Sequence, residues 1–390
     1  MKEKEITSYE LNKQVRKITN NIEIKTINGV EVASFAENVN GGKQQRAWHG
    51  LGDDQQIFDR PMFVEEALKA CHADFTVKTQ PVVALNDKIV HAMENEEMIS
   101  ADELLSLIIP NTRATMRTDT DKALGIVSDS YQVVDNKSAF QFVDMFCSGK
   151  FGDRDNTPVI ETCGVLGQGE RIFVTAKFPK QIVLDAKRDD LADAYAIFTT
   201  SHDGTGAVKV VTSFVRAVCN NTLQLALNES IGRMQFRHTA NVGKKMDLLN
   251  EENTEIAYKS LGMVDMYTKA LKEAYDNLRN IKVKEEDVNK IVADIALSEQ
   301  AKKVYFETKN INHEDIATRG RNIFLKMKEC IESGVGQDIL ESGNGQWLLN
   351  GITSYYQNVQ KYHDNQTKFD SIMNGSVSKK VQRAYDLLVA

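Results

Sequence analysis

Apolar positions recur with two different periods in the two parts of this 390-residue chain. Up to about residue 241 they form short runs bounded by Gly, Asp, Asn and Ser, the pattern of strands joined by tight turns. RATMRT (113–118), ALGIV (123–127) and YQVV (131–134) read as three successive strands. Asp135 and Asn136 then cap a helix over KSAFQFVDMF, whose Phe140, Val143, Met145 and Phe146 share a face. VIETCGVL and RIFVTAKF follow as an antiparallel pair across a Gly-Gln-Gly-Glu turn, and two more strands, around Ile197 and Val210, flank the loop Ser201–Gly206. Cys219-Asn220-Asn221-Thr222 has the character of a helix start, and RMQF (233–236) of a last strand. The order β-β-β-α-β-β-β-β-α-β over residues 113–237, with hairpin-length connections, predicts an α+β fold: a central antiparallel sheet with helices on one face.

Upstream, Asn28-Gly29 between two β-prone runs (residues 23–34) predicts a hairpin in an otherwise polar, loosely attached N-terminal segment. Pro61 reads as the first turn of a short helix with Phe63, Ala67, Leu68 and Cys71 on its apolar side. Beyond Asn241 the period becomes helical. Ile256, Met263, Tyr267, Ala270, Leu271, Ala274, Leu278 and Ile281 predict one long amphipathic helix. Breaks near residues 281–285, 309–313, 333–336, 342–345 and 374–376 predict four or five helices to complete the chain. All five prolines precede residue 180, so nothing interrupts those helices from within. Three units follow: a polar segment with a hairpin (1–45), an α+β core (46–242) and an all-α C-terminal region (243–390).

Composition is that of a globular protein, with 42% hydrophobic and 26% charged residues. No apolar run reaches the ~18 residues of a membrane helix, and the N-terminus lacks a signal-peptide core, so a cytoplasmic protein with no membrane partner is expected. The five cysteines (71, 147, 163, 219, 330) form no CxxC pair and read as reduced thiols. The net charge of −7 excludes coating nucleic acid by bulk charge. Its distribution is uneven, however. Between Thr205 and Lys245 six cations (Lys209, Arg216, Arg233, Arg237, Lys244, Lys245) meet one acid, Glu229, a local +5.

Four groups of residues carry candidate chemistry. Arg216 beside the helix-start residues Asn221 and Thr222 has the elements of an anion site, although a plain cap and an ordinary ion pair account for the same residues. In the loop containing His202, Asp203, Gly204 and Gly206, the imidazole is a candidate general base and the backbone amides a candidate phosphate cradle; a hairpin turn prefers the same Asp and Gly. Arg46, Trp48 and His49 bring a cation and aromatics suited to stacking on a base, or to anchoring a loop. Alternation in RMQFRH puts Arg233, Gln235 and Arg237 on one strand face, and with Lys209, His238, Lys244 and Lys245 they form a phosphate-tracking surface or a solvated one. Asp119, Asp121, Asp129, Asp203, His49, His202 and His238 match no standard metal-ligand spacing, and no nucleotide-binding or nucleophile motif is present, so no metal, catalytic residue or cofactor is expected.

The segments RAWHGLG, RTDTDKALGIVSDSYQVVDN, SHDGTGAV, RAVCNNTLQLAL, RMQFRHTAN and WLLNGITSYYQNV resemble, in the same order, a phage- and plasmid-like family known as a domain of unknown function. The resemblance covers most of the chain from Arg46 onward and implies a mobile-element setting but no chemistry. In element order the chain is also loosely similar to phage single-strand annealing recombinases, and that analogy alone implies a homo-oligomer. The expected function is non-enzymatic binding of nucleic acid, single-stranded DNA foremost, in recombination, annealing or DNA protection. The alternatives are a metal-dependent nuclease and a factor acting on a host protein.

Overall fold

The strand-forming runs assemble into two sheets. The computed structural model describes residues 31–35, 49, 56–95, 97–148, 154–205, 208–216, 233–236, 251–373 and 375–390. The larger sheet contains β1 (Glu31–Phe35), β2 (Gln56–Phe58), β6 (Val159–Leu166), β7 (Arg171–Lys177), β8 (Ile182–Asp185), β9 (Asp190–Ser201), β10 (Val208–Arg216) and β11 (Arg233–Phe236). Its order is β11-β10-β9-β7-β6-β1-β2, with β8 paired to β9. Every pairing in it is antiparallel except β1 with β2. A second, three-stranded antiparallel sheet holds β3 (Val77–Val83), β4 (Ile108–Arg117) and β5 (Ala123–Ser128). The fold is α+β, as the periodicities predict.

Several local expectations are corrected. The N-terminal segment is not loosely attached throughout: β1 lies between β6 and β2 and Ala33 is fully buried, while the Asn28-Gly29 turn falls outside the described residues. The RATMRT and ALGIV strands belong to the separate small sheet, because β4 takes β3 as its second neighbour. YQVV forms no strand. Tyr131 closes a turn on Ser128, and its hydroxyl donates to the Ser201 carbonyl at 3.2 Å, which carries the chain directly into the next helix. Pro61 lies before its helix, since Met62 makes an isolated bridge to Ile160 and helix α1 runs only over Val64–Ala70. β8 was not anticipated, nor were α2 (Asp87–Glu94) and α3 (Ala101–Ser106).

Helices cover both faces of the large sheet. α1 seats Cys71 with its Sγ 3.0 Å from that of Cys163 on β6. α4 (Asn136–Phe146) sets Phe142 and Phe146 edge-on to Phe198 of β9, with ring centroids 5.2 and 5.3 Å apart. The long α5 (Glu251–Asn280) stacks Tyr267 on Phe214 of β10 at 5.2 Å. The strand register places Cys163, Phe198 and Phe214 on one face. On the opposite face Phe173 of β7 stacks against Phe369, 5.0 Å away, in α10 (Asn365–Met373). Two covered faces explain why β7 and β9 read as nearly unbroken apolar runs instead of alternating ones.

The remaining helices are α6 (Glu285–Ala296), α7 (Glu299–Thr308), α8 (Thr318–Ser333), α9 (Gly345–Ser354), continued by a π-turn over Tyr355–Val359, and α11 (Ser376–Val389). Among the described residues six helices thus follow α5 where four or five were expected. The extra breaks have local causes. Ser298 accepts from the Ala301 amide to start α7, and Asp364 accepts from the Thr367 amide at the start of α10. Buried residues of the sheet and of the C-terminal helices form a single apolar cluster.

Phe214 is fully buried under Tyr267, so Phe214→Ala should destabilise the fold by about 3–5 kcal/mol. Urea unfolding measures this, and a loss below about 1 kcal/mol would show that α5 does not hold the sheet.

Candidate functional site

The β9–β10 turn, flagged in the sequence by Ser-His-Asp-Gly-Thr, is the joint at which the two sheets and α4 meet. Its conformation starts from local chemistry. Asp203 Oδ1 accepts from the Thr205 amide at 2.9 Å, and Gly204 adopts a φ of +77°. An added Cβ on Gly204 would stand 3.0 Å from Val127 Cγ1, and one on Gly125 only 2.5 Å from the Asp203 Cα. Glycine on both sides therefore lets the backbones of the turn and of β5 lie directly against each other.

His202 is fully buried in this joint. Its amide donates to the Glu170 carbonyl at 2.8 Å, and its carbonyl accepts from Thr115 Oγ1 of β4 at 2.6 Å. Its Nε2 lies 2.8 Å from Asn136 Oδ1, an acceptor, so Nε2 carries the hydrogen. The Asn136 amide donates in turn to the carbonyls of Ala73 (2.8 Å) and Phe75 (3.4 Å). One side chain at the start of α4 thus ties the turn to the segment entering β3. Next to it Arg117 lies 4.0 Å over the Phe75 ring and donates to the Gln168 carbonyl at 3.0 Å. Burial, with the charge of Asp203 added, pushes the Tyr131 hydroxyl above the usual phenol range, so it remains a donor to Ser201.

Toward the surface the joint becomes ionic. Arg171, the first residue of β7, donates to Thr205 Oγ1 at 2.9 Å, lies 3.8 Å from Asp203 Oδ2 and pairs with Asp370 of α10. Burial holds the Asp370 carboxyl above its usual range, with Arg171 opposing the shift, Asp203 reinforcing it and Lys209 opposing it. The register sets Arg171, Lys209, Gln235 and Arg233 on the same face, because Arg171 pairs with Ser201, Lys209 with both Thr199 and Gln235, and Val211 with Arg233.

The sequence-derived candidates therefore separate. His202, Asp203 and Gly204 are brought together, with Lys209 at the rim; as a buried, hydrogen-bonded group His202 serves as a structural pin. His49 is also buried, 3.2 Å from Thr162 Oγ1 and edge-on to Phe173 at 5.3 Å, which removes it from a base-stacking surface. Burial first, and the nearby Lys368 second, push its pKa down to about 3. Arg216 ends β10 opposite Ala192, and Arg233 opens β11. Arg46, Trp48, Gly206, Asn221, Thr222, Arg237, Lys244 and Lys245 lie outside the described residues. Of the scattered carboxylates, Asp119 pairs with Arg117 at 2.8 Å and Asp121 with Lys78 at 3.4 Å. Among the described residues no three His, Cys, Asp or Glu side chains converge on a metal position.

Asn136, Arg117, Arg171 and Asp370 were missed. Asn136 resembled a spare cap beside Asp135, and Arg171 and Asp370 are 199 residues apart with no local pattern linking them.

Asn136→Leu should cost about 1–3 kcal/mol for each buried partner left unsatisfied. Chemical denaturation of this variant tests the joint, and near-native stability would refute it. A second expectation concerns pH. The folded-state pKa of His49 lies below its unfolded value of 6.5, so its contribution is present above pH 6.5 and is lost as the pH falls from there toward about 3. Stability should fall across that window with a slope of up to about 1.4 kcal/mol per pH unit from this residue. The slope should flatten in His49→Gln, and an unchanged profile would place the acid sensitivity elsewhere.

No curated protein matches this sequence, and neither does any solved structure. A family model does, over residues 123–380, from the first residue of β5 into α11, a range that holds the His202 turn and Asn136 but not their partners in β4 and before β3. The chain belongs to the family described as Domain of unknown function (DUF932).

Proposed function

We propose that this protein binds single-stranded nucleic acid, DNA foremost, along the β10–β11 end of the large sheet and without catalysing a reaction on it. One observation carries the reading. β11 is the terminal strand of the sheet among the described strands, and its register sets Arg233 and Gln235 on the face of Lys209. Arg237 continues the alternation in sequence, followed by Lys244 and Lys245, within the stretch of local +5 charge. Cations two residues apart on a strand stand about 7 Å from one another, a spacing that lets an extended polyanion lie along them. Such binding depends on phosphate neutralisation, tolerates sequence and weakens with salt. A phage or mobile-element setting, with a role in recombination, annealing or protection of single strands in the cytoplasm, is the context this reading fits.

Fluorescence anisotropy of labelled single-stranded and duplex oligonucleotides over a salt series, with magnesium and without, tests it. The parent protein should prefer single strands and leave them intact. Arg233→Ala with Arg237→Ala should weaken binding and reduce the slope of log affinity against log salt by about 1.4, roughly 0.7 for each phosphate that the variant no longer neutralises. A well-folded double variant that binds like the parent would overturn the proposed surface. Cleavage that EDTA abolishes would replace it with the nuclease reading.

A further inference from the structure

Two thiols meet in the core beneath the large sheet. Cys71, the residue that ends α1, and Cys163 of β6 are both fully buried, and their Sγ atoms stand 3.0 Å apart across a sequence separation of 92 residues. A disulfide bond is about 2.05 Å long, so the two sulfurs need to approach by only about 1 Å to be joined. Side-chain rotation supplies a movement of that size while α1 and β6 keep their places.

The chain leaving Cys71 runs straight into the His202 joint. The His72 carbonyl accepts from Arg117 at 3.3 Å, and the Ala73 carbonyl from Asn136 at 2.8 Å. β3, β4, β5 and α4 all lie between the two cysteines in sequence. A bond between them would therefore enclose the whole small sheet in one covalent loop, with the loop's two ends fixed where α1 crosses β6.

We propose that Cys71 and Cys163 are a redox switch, in which hydrogen peroxide closes a disulfide that staples α1 to β6 and a dithiol reopens it. The Cys71 thiolate attacks one peroxide oxygen; an S–O bond forms, the O–O bond breaks, and the departing hydroxide takes up the Cys71 proton as water. The Cys163 thiolate then attacks the sulfenic sulfur. The S–S bond forms as the S–O bond breaks, and the second hydroxide leaves as water with the Cys163 proton. Two thiols lose two electrons and one peroxide gains them. A dithiol reverses the change by two successive thiol–disulfide exchanges and is itself oxidised to a disulfide.

The oxidant reaches Cys71 through the end of its helix. α1 has seven residues, and His72 directly after Cys71 takes a φ of +52°, the left-handed conformation that favours glycine. A short helix ending in this way opens locally without global unfolding, and its reclosure returns the Cys71 sulfur to Cys163. Once formed, a cross-link over a separation of 92 residues removes chain entropy from the unfolded state and lowers the unfolding equilibrium constant by about a hundred- to a thousandfold.

Peptide mapping of the full chain tests the pairing. The protein is reduced with dithiothreitol, freed of it, treated with hydrogen peroxide while folded, alkylated in denaturant and digested without reduction. Mass spectrometry should find the Cys71 and Cys163 peptides joined, with two hydrogens lost. The oxidised chain should unfold at higher urea than the reduced one, and dithiothreitol should return the midpoint. Cys71→Ala and Cys163→Ala should each abolish the cross-link and the peroxide-dependent shift, whereas Cys147→Ala should keep both. Mapping uses the parent chain, so it decides the pairing even where a cysteine variant folds poorly. Alkylation of both thiols after peroxide, sulfinic acid in place of the bond, a cross-link to a different cysteine, a cross-link that forms only in urea, or one that leaves the urea midpoint unmoved would each overturn the proposal.

Discussion

The contact between the β9–β10 turn and β5 governs how the N-terminal half is arranged. A glycine stands on one side of each close approach: Gly125 faces the Asp203 backbone, and Gly204 faces Val127. Buried polar groups of two closely packed backbones need partners within the contact. Thr115, Asn136 and Tyr131 supply them by bonding to the His202 carbonyl, the His202 ring and the Ser201 carbonyl. The small sheet is thereby locked to the end of the large one, and α4 is fixed at the angle that brings Phe142 and Phe146 onto Phe198. A sequence as polar as Ser-His-Asp-Gly-Thr invites a catalytic interpretation, yet here its polarity is consumed in holding the fold together.

The electrostatics follow from the same geometry. Arg171 at the rim of the joint draws Asp203 and Asp370 to its side of the sheet. Lys209 stands between that partly neutralised group and the β11 end. A net charge of −7 hides an uneven distribution, with six acids against one lysine in residues 84–109, between β3 and β4, and six cations against one acid in residues 205–245.

Strands whose apolar runs are bounded by turn residues were legible, and β6, β7, β9 and β10 lie where those runs lie. The long α5 was legible for the corresponding reason at period 3.6. β3 was not, because VKTQPVV is largely exposed on both faces and Pro81 stands at a register shift, so neither alternation nor an unbroken apolar run marks it. Without β3 nothing in the sequence separates the small sheet from the large one. In Asp135-Asn136 two good caps stand side by side. Asp135 takes the cap, with its carboxylate accepting from the Ser138 amide, and Asn136 turns inward to the joint. A local rule identifies such a pair but does not assign its members, because the deciding partner, His202, is 66 residues away.

The family match begins at residue 123, the first residue of β5, whereas the strand that pairs with β5 ends at Arg117. The shared unit therefore contains the strand pressed against the His202 turn but not the neighbour that completes that strand's hydrogen bonding. A strand stripped of its neighbour presents a row of open amides and carbonyls. Any chain built on residues 123–380 alone would have to cover that row with sequence of its own. In this chain β4 supplies that cover from outside the matched range and also sends Thr115 to the His202 carbonyl, so one upstream strand both completes β5 and closes the joint.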